Sequence, residues 1–323
     1  MRIRSVRLAP LLLVPLAVAC GEATGPQPAA NPPGDLCTLP TLTAAPAPAP
    51  ALAAFAYDRA AAYDPVLTPI GSEPGVAIHA VSFLSPRGTG RATGRLFVPE
   101  GPGPFAGLVL MHGLPGNAEQ MTFTGTLLAR QGAVVVALDA PFARRGGSPL
   151  RFTEADSAEQ VQLITDLQRA VDLLVARPDV DASRLGYVGF SYGGAMGALF
   201  VGIERRLKTG ILVVADGGLV THYTGPEDGG STFAALTCAQ RRRWLQSMIP
   251  IEPIKYVGFA AGMPLLLQSG RQDELVTPRD AEQLQAAVGD PKTIHWYDAG
   301  HSLNAEASRD RLSWLQQLGM RAP

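Results

Sequence analysis

The sequence lacks a strong excess of charge of either sign, and this lack excludes several classes of protein. Its 323 residues carry 27 Lys and Arg against 28 Asp and Glu, a formal net charge of -1. Proteins that bind nucleic acid usually show a basic patch, so we expect no nucleic-acid partner. The one cationic cluster, Arg241-Arg242-Arg243, predicts a solvated helix face, with a carboxylate-binding rim near an active site as the alternative.

Motifs for cofactors are also missing. The sequence has no Walker pattern, no nicotinamide fingerprint after the first strand pattern, and no His-Glu-x-x-His segment. We therefore expect neither a cofactor nor a catalytic metal. Material for a core is plentiful, since 46% of the residues are hydrophobic and 17% are charged. The length suits one large α/β domain or two modest ones.

Residues 1–19 have the pattern of an export signal. Three arginines precede an apolar run ending at Ala19, and that run is shorter than the ~20 residues of a spanning helix. It closes in LAVAC, which resembles a bacterial lipobox with Cys20 as the lipidated residue, although Ala17 stands where that motif prefers leucine. We expect lipid on Cys20 to anchor the protein in the cell envelope, and ordinary signal cleavage with secretion is the alternative.

Residues 20–54 are rich in proline and alanine, including the run APAPAPALAA. Such a segment buries too little apolar area to offset the entropy of ordering, and its prolines favour an extended form. The composition therefore predicts a tether between the membrane and a folded domain that spans residues 55–323.

Strand and helix patterns alternate through residues 55–323, which predicts a mostly parallel central sheet with helices on both faces. VAIHAVSFLS and GRATGRLFVP predict an antiparallel edge. Six further strands are predicted in FAGLVLMHG, GAVVVALDAP, RLGYVGF, GILVVA, MPLLLQSG and KTIHWYD. Residues 217–260 interrupt this alternation and predict a short lid insertion. Tyr223, Phe233 and Trp244 within it either line a substrate pocket or pack the insertion onto the sheet.

A glycine-flanked serine lies where a strand pattern runs directly into a helix pattern. The segment YVGFSYGGAM places Ser191 in a Gly-x-Ser-x-Gly motif. In that context the motif is typical of a nucleophile elbow, a sharp turn that exposes the serine at the carboxyl edge of the sheet. Gly189 and Gly193 leave room for the turn, and the helix N-terminus favours negative charge near the serine oxygen. We predict that Ser191 is a nucleophile.

A serine hydroxyl is a weak nucleophile at neutral pH and needs a histidine base oriented by a carboxylate. Of five histidines, His301 follows the last strand pattern, where a loop can return its ring to Ser191. Asp273 follows the strand MPLLLQSG and completes the chain order Ser, Asp, His. We predict Asp273 as the orienting acid, with Asp216 at the end of the preceding strand as the alternative.

Acyl transfer also needs two backbone N–H groups directed at the developing oxyanion. Tyr192 supplies one such group as the residue after the nucleophile. Leu114, in the segment LMHGLPGN after a buried strand, is the predicted second donor, because Gly113 and Gly116 allow that loop a close approach. An ordinary turn between a strand and a helix is the alternative interpretation of the same segment.

The segments MHGLPGN, DASRLGYVGFSYGGA, LLLQSGRQDELVTP and AGHSL together resemble the α/β-hydrolase family over roughly residues 75–320. The most similar branch is the dienelactone-hydrolase and prolyl-oligopeptidase-like group. The resemblance implies an α/β-hydrolase fold and acyl transfer from an ester, thioester or amide through an acyl-enzyme. Dienelactone hydrolases proper use a cysteine nucleophile, whereas Ser191 here indicates esterase or peptidase chemistry. Too few residues precede the hydrolase segment for the large propeller of the oligopeptidases, which favours a small esterase.

Three hypotheses follow. The leading one is a membrane-tethered hydrolase of small carboxylic esters, and the second is a peptidase or lactone hydrolase on the same triad. The third is a non-catalytic envelope lipoprotein that keeps the fold. The intact set Ser191, Asp273 and His301 disfavours the third, because a lapsed enzyme has no chemical need for all three residues.

Cysteine is scarce, with three residues in the chain. If Cys20 carries lipid, Cys37 and Cys238 remain as a potential disulfide in an oxidising compartment. That bridge would strap the tether across the lid. The alternative is two unpaired thiols, with Cys238 packed as a small hydrophobe and Cys37 in solvent.

Overall fold

The computed structural model describes residues 37–88, 90–225 and 231–320. The predicted signal at residues 1–19, Cys20 and the first part of the predicted tether lie outside the described residues. Four consecutive strands begin at residue 66, helices and strands alternate after the fourth, and all the strands form one sheet.

The described residues form nine strands. Their bounds are β1 Val66–Glu73, β2 Val76–Leu84, β3 Arg91–Pro99, β4 Phe105–Met111, β5 Ala133–Leu138, β6 Val180–Phe190, β7 Thr209–Val213, β8 Leu265–Gly270 and β9 Lys292–Tyr297. They lie in the order β1-β2-β3-β5-β4-β6-β7-β8-β9. The first three strands run antiparallel to their neighbours, and the remaining pairs are parallel. The predicted antiparallel edge is thus confirmed, with β1 as an additional strand.

The α-helices that the structure describes cover the two faces of this sheet. Their bounds are α1 Thr122–Arg130, α2 Pro141–Arg145, α3 Glu154–Val175, α4 Tyr192–Ile203, α5 Leu219–Thr224, α6 Ser231–Ala234, α7 Cys238–Met248, α8 Pro278–Ala287 and α9 Ala305–Gln317. Short 3₁₀ helices lie at Ala49–Phe55, Ala118–Met121, Ile249–Ile251, Pro253–Lys255 and Val257–Ala260. Within the described ranges, no helix has both the length and the apolarity that crossing a bilayer requires.

Alternation along the central strands divides the core into two layers. In β4, Val109 and Met111 belong to the core cluster that contains α3 and α4 side chains. Leu108 and Leu110 belong to the opposite cluster, with residues of α1 and α9. Because successive side chains of a strand point to opposite faces, both faces of β4 are buried under helices. The predicted α/β-hydrolase fold, with a mostly parallel sheet between two helical layers, is confirmed.

The sequence of helix α3 determines where the helix begins, which face it buries and where it ends. Thr153 accepts a hydrogen bond from the N–H of Ala155 and caps its first turn. Ile164, Leu167 and other apolar residues at three- and four-residue spacing are buried against the sheet. The helix ends at Val175, shortly before Pro178, which cannot continue it.

The segment 37–54, within the predicted tether, lies against the domain instead of extending away from it. Ala47 is buried and donates its N–H to the carbonyl of Lys255 at 2.9 Å. Phe55 is buried as well and packs edge-on against the ring of Tyr256. Contacts of this kind hold the segment on the domain, and the amino-acid composition of the segment did not reveal them.

A disulfide joins Cys37 in this segment to Cys238 at the start of α7. Of the arginine cluster, Arg242 donates to the carbonyl of Thr38, and Arg241 contacts the sulfur of Cys37. We call residues 37–48 the strap, because Cys37 and Thr38 bind this segment to α7 of the insertion.

We expect loss of this bridge to destabilise the protein. The sulfurs join residues 201 positions apart, for which chain entropy gives an upper limit of about 5 kcal/mol. Cys37→Ser should therefore lower the free energy of unfolding measured by urea denaturation, whereas Cys20→Ser should not. Mass spectrometry of unreduced protein should detect a linked Cys37–Cys238 peptide, and full alkylation of both thiols without reductant would contradict the bridge.

Candidate active site

Ser191 occupies a strained turn between β6 and α4. Its backbone has φ 53° and ψ -118°, a conformation that residues other than glycine seldom adopt. Two backbone bonds hold the turn: the N–H of Ser191 donates to the carbonyl of Val213 at 2.8 Å, and its carbonyl accepts from Ala195 at 2.8 Å. Strain that the surroundings maintain in this way is typical of functional positions.

Two flanking glycines permit the turn because backbone atoms lie where a side chain would be. A Cβ atom at Gly193 would approach the carbonyl oxygen of Met111 to 2.5 Å, and one at Gly189 would approach the carbonyl oxygen of Gly193 to 2.3 Å. Real Cβ atoms do not come so close. The Gly-x-Ser-x-Gly motif thus packs directly against the end of β4.

His301 and Asp273 lie together at the carboxyl edge of the same sheet. The Nδ1 atom of His301 is 2.9 Å from Oδ2 of Asp273. Asp273 is buried, and its Oδ1 also accepts the N–H groups of Leu275 and Val276, each at 2.9 Å. These bonds fix the carboxylate, and the carboxylate in turn fixes the tautomer and orientation of the imidazole.

Asp216, the alternative acid, has an imidazole partner of its own. Its Oδ2 lies 2.9 Å from Nδ1 of His222 on α5. His222 falls within the predicted insertion, and no role was predicted for it, because its contact with Asp216 has no local signature in the sequence. A third such pair, His295 with Asp310 at 3.0 Å, joins β9 to α9.

The loop after β4 lies beside the serine. A Cβ atom at Gly113 would be 3.1 Å from the Cβ of Ser191, which measures how closely the two segments approach. His112 stabilises this loop: its Nε2 accepts the N–H of Ala140 at 3.1 Å, so its Nδ1 donates to the carbonyl of Gly113 at 2.7 Å. Burial lowers the pKa of His112, consistent with a neutral structural imidazole.

A cavity of about 540 Å³ brings the predicted residues together. Its lining includes Ser191, His301, Leu114 and Tyr192, and Asp273 lies directly behind His301. The walls are largely apolar, with Met121, Phe190, Val214, Leu219, Leu275 and Val276 among them. An apolar cavity with a few convergent polar groups is the usual form of a small-molecule site.

The three aromatic residues named in the predicted insertion differ in position. Tyr223 lines the cavity, whereas Phe233 and Trp244 are buried and pack around Phe152. Trp244 also donates its indole N–H to Asp156 of α3 at 3.0 Å. For these two residues, packing onto the domain is therefore the correct one of the two alternatives.

Glu252 lies buried under the start of α5. Its Oε1 accepts the N–H of Thr221 at 2.8 Å and the hydroxyl of Thr221 at 3.1 Å. Burial, together with the charge of Asp216, raises the pKa of Glu252 to about 8, although the bonds from Thr221 oppose the shift. At neutral pH the carboxyl is therefore mostly protonated.

Among the residues with described positions, no three His, Cys, Asp or Glu side chains cluster as metal ligands would.

Known proteins resemble this chain in sequence and in fold. A sequence profile of the prolyl oligopeptidase family matches residues 120–319. Acyl-coenzyme A thioesterase 2 of human mitochondria is 27% identical over 139 residues, which is 42% of this chain and 26% of that protein. The matched part thus spans about a quarter of the thioesterase.

Two solved structures share the fold over most of the chain. The acetyl xylan esterase from Paenibacillus sp. R4 has a TM-score of 0.68 at 20% identity, covering 83% of this chain and 92% of that one. Acetyl xylan esterase 1 from Thermoanaerobacterium sp. JW/SL YS485 has a TM-score of 0.64 at 16% identity, covering 86% and 96%. At these identities the likeness establishes the fold.

Glu252 makes folding stability depend on pH in a direction opposite to that of most carboxylates. The pKa of its folded-state carboxyl is about 8 against an ordinary 4.5, so the folded state retains a proton that the unfolded chain releases. Its contribution to stability is complete below about pH 4.5, falls as pH rises, and is lost above about pH 8, with an upper limit of about 5 kcal/mol. We therefore expect Glu252→Gln to stabilise the protein increasingly between pH 5 and pH 9.

Urea denaturation at several pH values measures this difference between wild type and variant. The exposed Glu274→Gln provides the matched control and should leave the pH dependence unchanged. Identical pH profiles for wild type and Glu252→Gln would show that Glu252 is ionised in the folded state.

Proposed function

We propose that this chain, which belongs to the prolyl oligopeptidase family and is a serine hydrolase of the α/β fold, hydrolyses carboxylic esters. The reaction would pass through an acyl-enzyme on Ser191. The observation that carries the proposal is the contact of 2.9 Å between His301 and Asp273 at the cavity into which the strained turn presents Ser191. A nucleophile, a base and an orienting carboxylate are the parts that acyl transfer requires.

The reaction proceeds in two halves. His301 takes the proton of the Ser191 hydroxyl as its oxygen attacks the ester carbonyl, and Asp273 stabilises the resulting imidazolium. The N–H groups of Leu114 and Tyr192 donate to the oxyanion of the tetrahedral intermediate. His301 then returns the proton to the departing alcohol, which leaves Ser191 acylated. A water molecule, deprotonated by the same imidazole, releases the carboxylic acid and restores the serine.

Thioesters are the second candidate substrate class, because the human relative is an acyl-coenzyme A thioesterase with 27% identity over the matched segment. Two observations favour oxygen esters. The two solved structures compared above, which share the fold, are acetyl xylan esterases, and the cavity of about 540 Å³ suits a small substrate. Amide and lactone cleavage use the same groups, so relative rates on matched ester, thioester, lactone and peptide substrates decide among them.

Removing the nucleophile should abolish turnover without unfolding the protein. We expect Ser191→Ala to lower kcat for p-nitrophenyl acetate by about a million-fold, since no acyl-enzyme can form. Asp273→Asn should lower kcat by about ten thousand-fold, because the imidazole loses its anion and adopts the wrong tautomer. Turnover and labelling with a fluorophosphonate probe measure both effects.

Ser302→Ala is the matched control, because Ser302 lines the same cavity and takes no part in the proposed reaction. This variant should keep turnover and probe labelling close to wild type. If Ser191→Ala retained a tenth of the wild-type rate, the nucleophile would be another residue. If the wild type neither hydrolysed esters nor reacted with the probe, the non-catalytic hypothesis would replace this proposal.

We also propose that the enzyme is tethered to the membrane of the cell envelope by lipid on Cys20. The support is the sequence LAVAC after an apolar run. Cys20→Ser should move the protein from the membrane fraction to the soluble fraction and abolish incorporation of labelled palmitate. Cys37→Ser, the control, should stay in the membrane fraction. Equal palmitate incorporation in the Cys20→Ser variant would exclude this anchor.

A further inference from the structure

The cavity that holds Ser191 contains a second imidazole–carboxylate pair that the proposed mechanism does not use. Asp216 follows β7, and His222 lies one turn along α5. Their side chains meet at 2.9 Å, and both residues line the cavity. Asp216 is 5% exposed, and its second oxygen accepts the N–H of Gly218 at 3.0 Å.

The protein holds this pair in a fixed position. The carboxyl of Glu252 binds Thr221, the residue before His222, through both its N–H and its hydroxyl. The ring of Tyr223 packs edge-on against the imidazole of His222, with 4.9 Å between the ring centroids. It also packs edge-on against the ring of Phe152, with 5.2 Å between the centroids. Such support pre-organises a binding group, because little freedom is then lost when a ligand arrives.

The position of the pair gives it a role beyond packing. A carboxylate in an apolar wall is costly to desolvate unless it is paired, and an apolar residue at this point would continue the wall formed by Val214 and Leu219. Asp216 and His222 are instead directed to the same cavity as the nucleophile. His295 and Asp310 form a comparable pair between β9 and α9, and they do not belong to the lining of this cavity.

The charges of the cavity indicate which ligand group suits the pair. Each imidazole is matched by a carboxylate, so the two pairs together have no net positive charge even when both rings are protonated. With Nδ1–H donated to Asp216, the other ring nitrogen of His222 accepts a hydrogen bond in the neutral imidazole and donates one in the imidazolium. A hydroxyl group can donate or accept, and it is therefore compatible with both states.

We propose that the Asp216–His222 pair binds a hydroxyl group of the substrate, and thereby makes this enzyme selective for hydroxylated esters over plain alkyl esters. The inference rests on the proposed function, since it names the substrate class of the same Ser191 site. His222 contacts the substrate, and Asp216 is a positioning residue that sets the tautomer of His222. The reacting carbonyl remains with Ser191, His301 and the two N–H donors.

Two pairs of esters test the proposal by pH-stat titration of the released acid. Methyl β-hydroxybutyrate is compared with methyl butyrate for a hydroxyl in the acyl part, and glycerol monobutyrate with propyl butyrate for one in the alcohol part. His222→Phe keeps an aromatic ring beside Tyr223 and removes the hydrogen bond. We expect it to lower kcat/KM for the preferred hydroxylated ester by about tenfold to a hundredfold, mainly through KM. The value for the matching alkyl ester should fall by a clearly smaller factor, so that the ratio of the two kcat/KM values falls.

His222→Gln, which keeps a hydrogen-bonding side chain, should restore part of the selectivity. Asp216→Asn should reduce selectivity and alter its dependence on pH. His295→Phe removes an imidazole from the comparable pair outside the cavity and is the matched control. Selectivity identical to wild type is expected for it.

Unchanged selectivity in folded His222→Phe and His222→Gln would overturn the proposal while leaving Ser191 as the nucleophile. An equal loss on the alkyl and hydroxylated esters would also overturn it. Failure of the proposed function has a different signature. If His222→Phe were as inactive as Ser191→Ala while His301→Phe remained active, His222 would be the general base, and the triad assignment to Asp273 and His301 would be wrong.

Discussion

The backbone turn at Ser191 is the constraint on which the rest of the site depends. A non-glycine residue at φ 53° costs of order 1–3 kcal/mol and persists because the turn is held from both sides. The carbonyl oxygens of Met111 and His112 lie so close to Gly193 that no side chain fits there, and Val213 accepts the N–H of the serine. The turn is therefore locked between β4 and β7, and the serine oxygen is placed relative to the sheet itself.

Because the sheet defines the position of Ser191, the neighbouring strands can supply the other groups of the proposed reaction. The loop after β4 carries Leu114, the loop after β8 carries Asp273, and the segment after β9 carries His301. Parallel strands bring these segments to one edge of the sheet, where the strand order reverses on either side of β4. The geometry of the proposed acyl transfer thus depends on the register between strands more than on the conformation of the insertion.

This division explains how far the sequence predicted the structure. The central strands β4, β5, β7 and β8 were predictable because both of their faces are buried, which leaves continuous apolar runs. Strand β1 was missed because Val66–Glu73 is exposed along its whole length and contains Pro69 and Gly71, so no pattern marks it. The partner of Asp216 and the docking of residues 37–54 depend on tertiary contacts, among them those of Phe55, that have no local signature.

The side of the cavity that the insertion forms is held by a different set of contacts from those of Ser191, Asp273 and His301. The disulfide to Cys37 fixes the start of α7. Trp244 of α7 packs against Phe152, with 5.3 Å between the ring centroids. Phe152 contacts Tyr223, which packs against His222. A continuous series of contacts therefore runs from the strap to the pair with Asp216, on the side of the cavity that the insertion provides. Changes in the strap or in α7 should act first on substrate selectivity, since Ser191, Asp273 and His301 are held by the sheet.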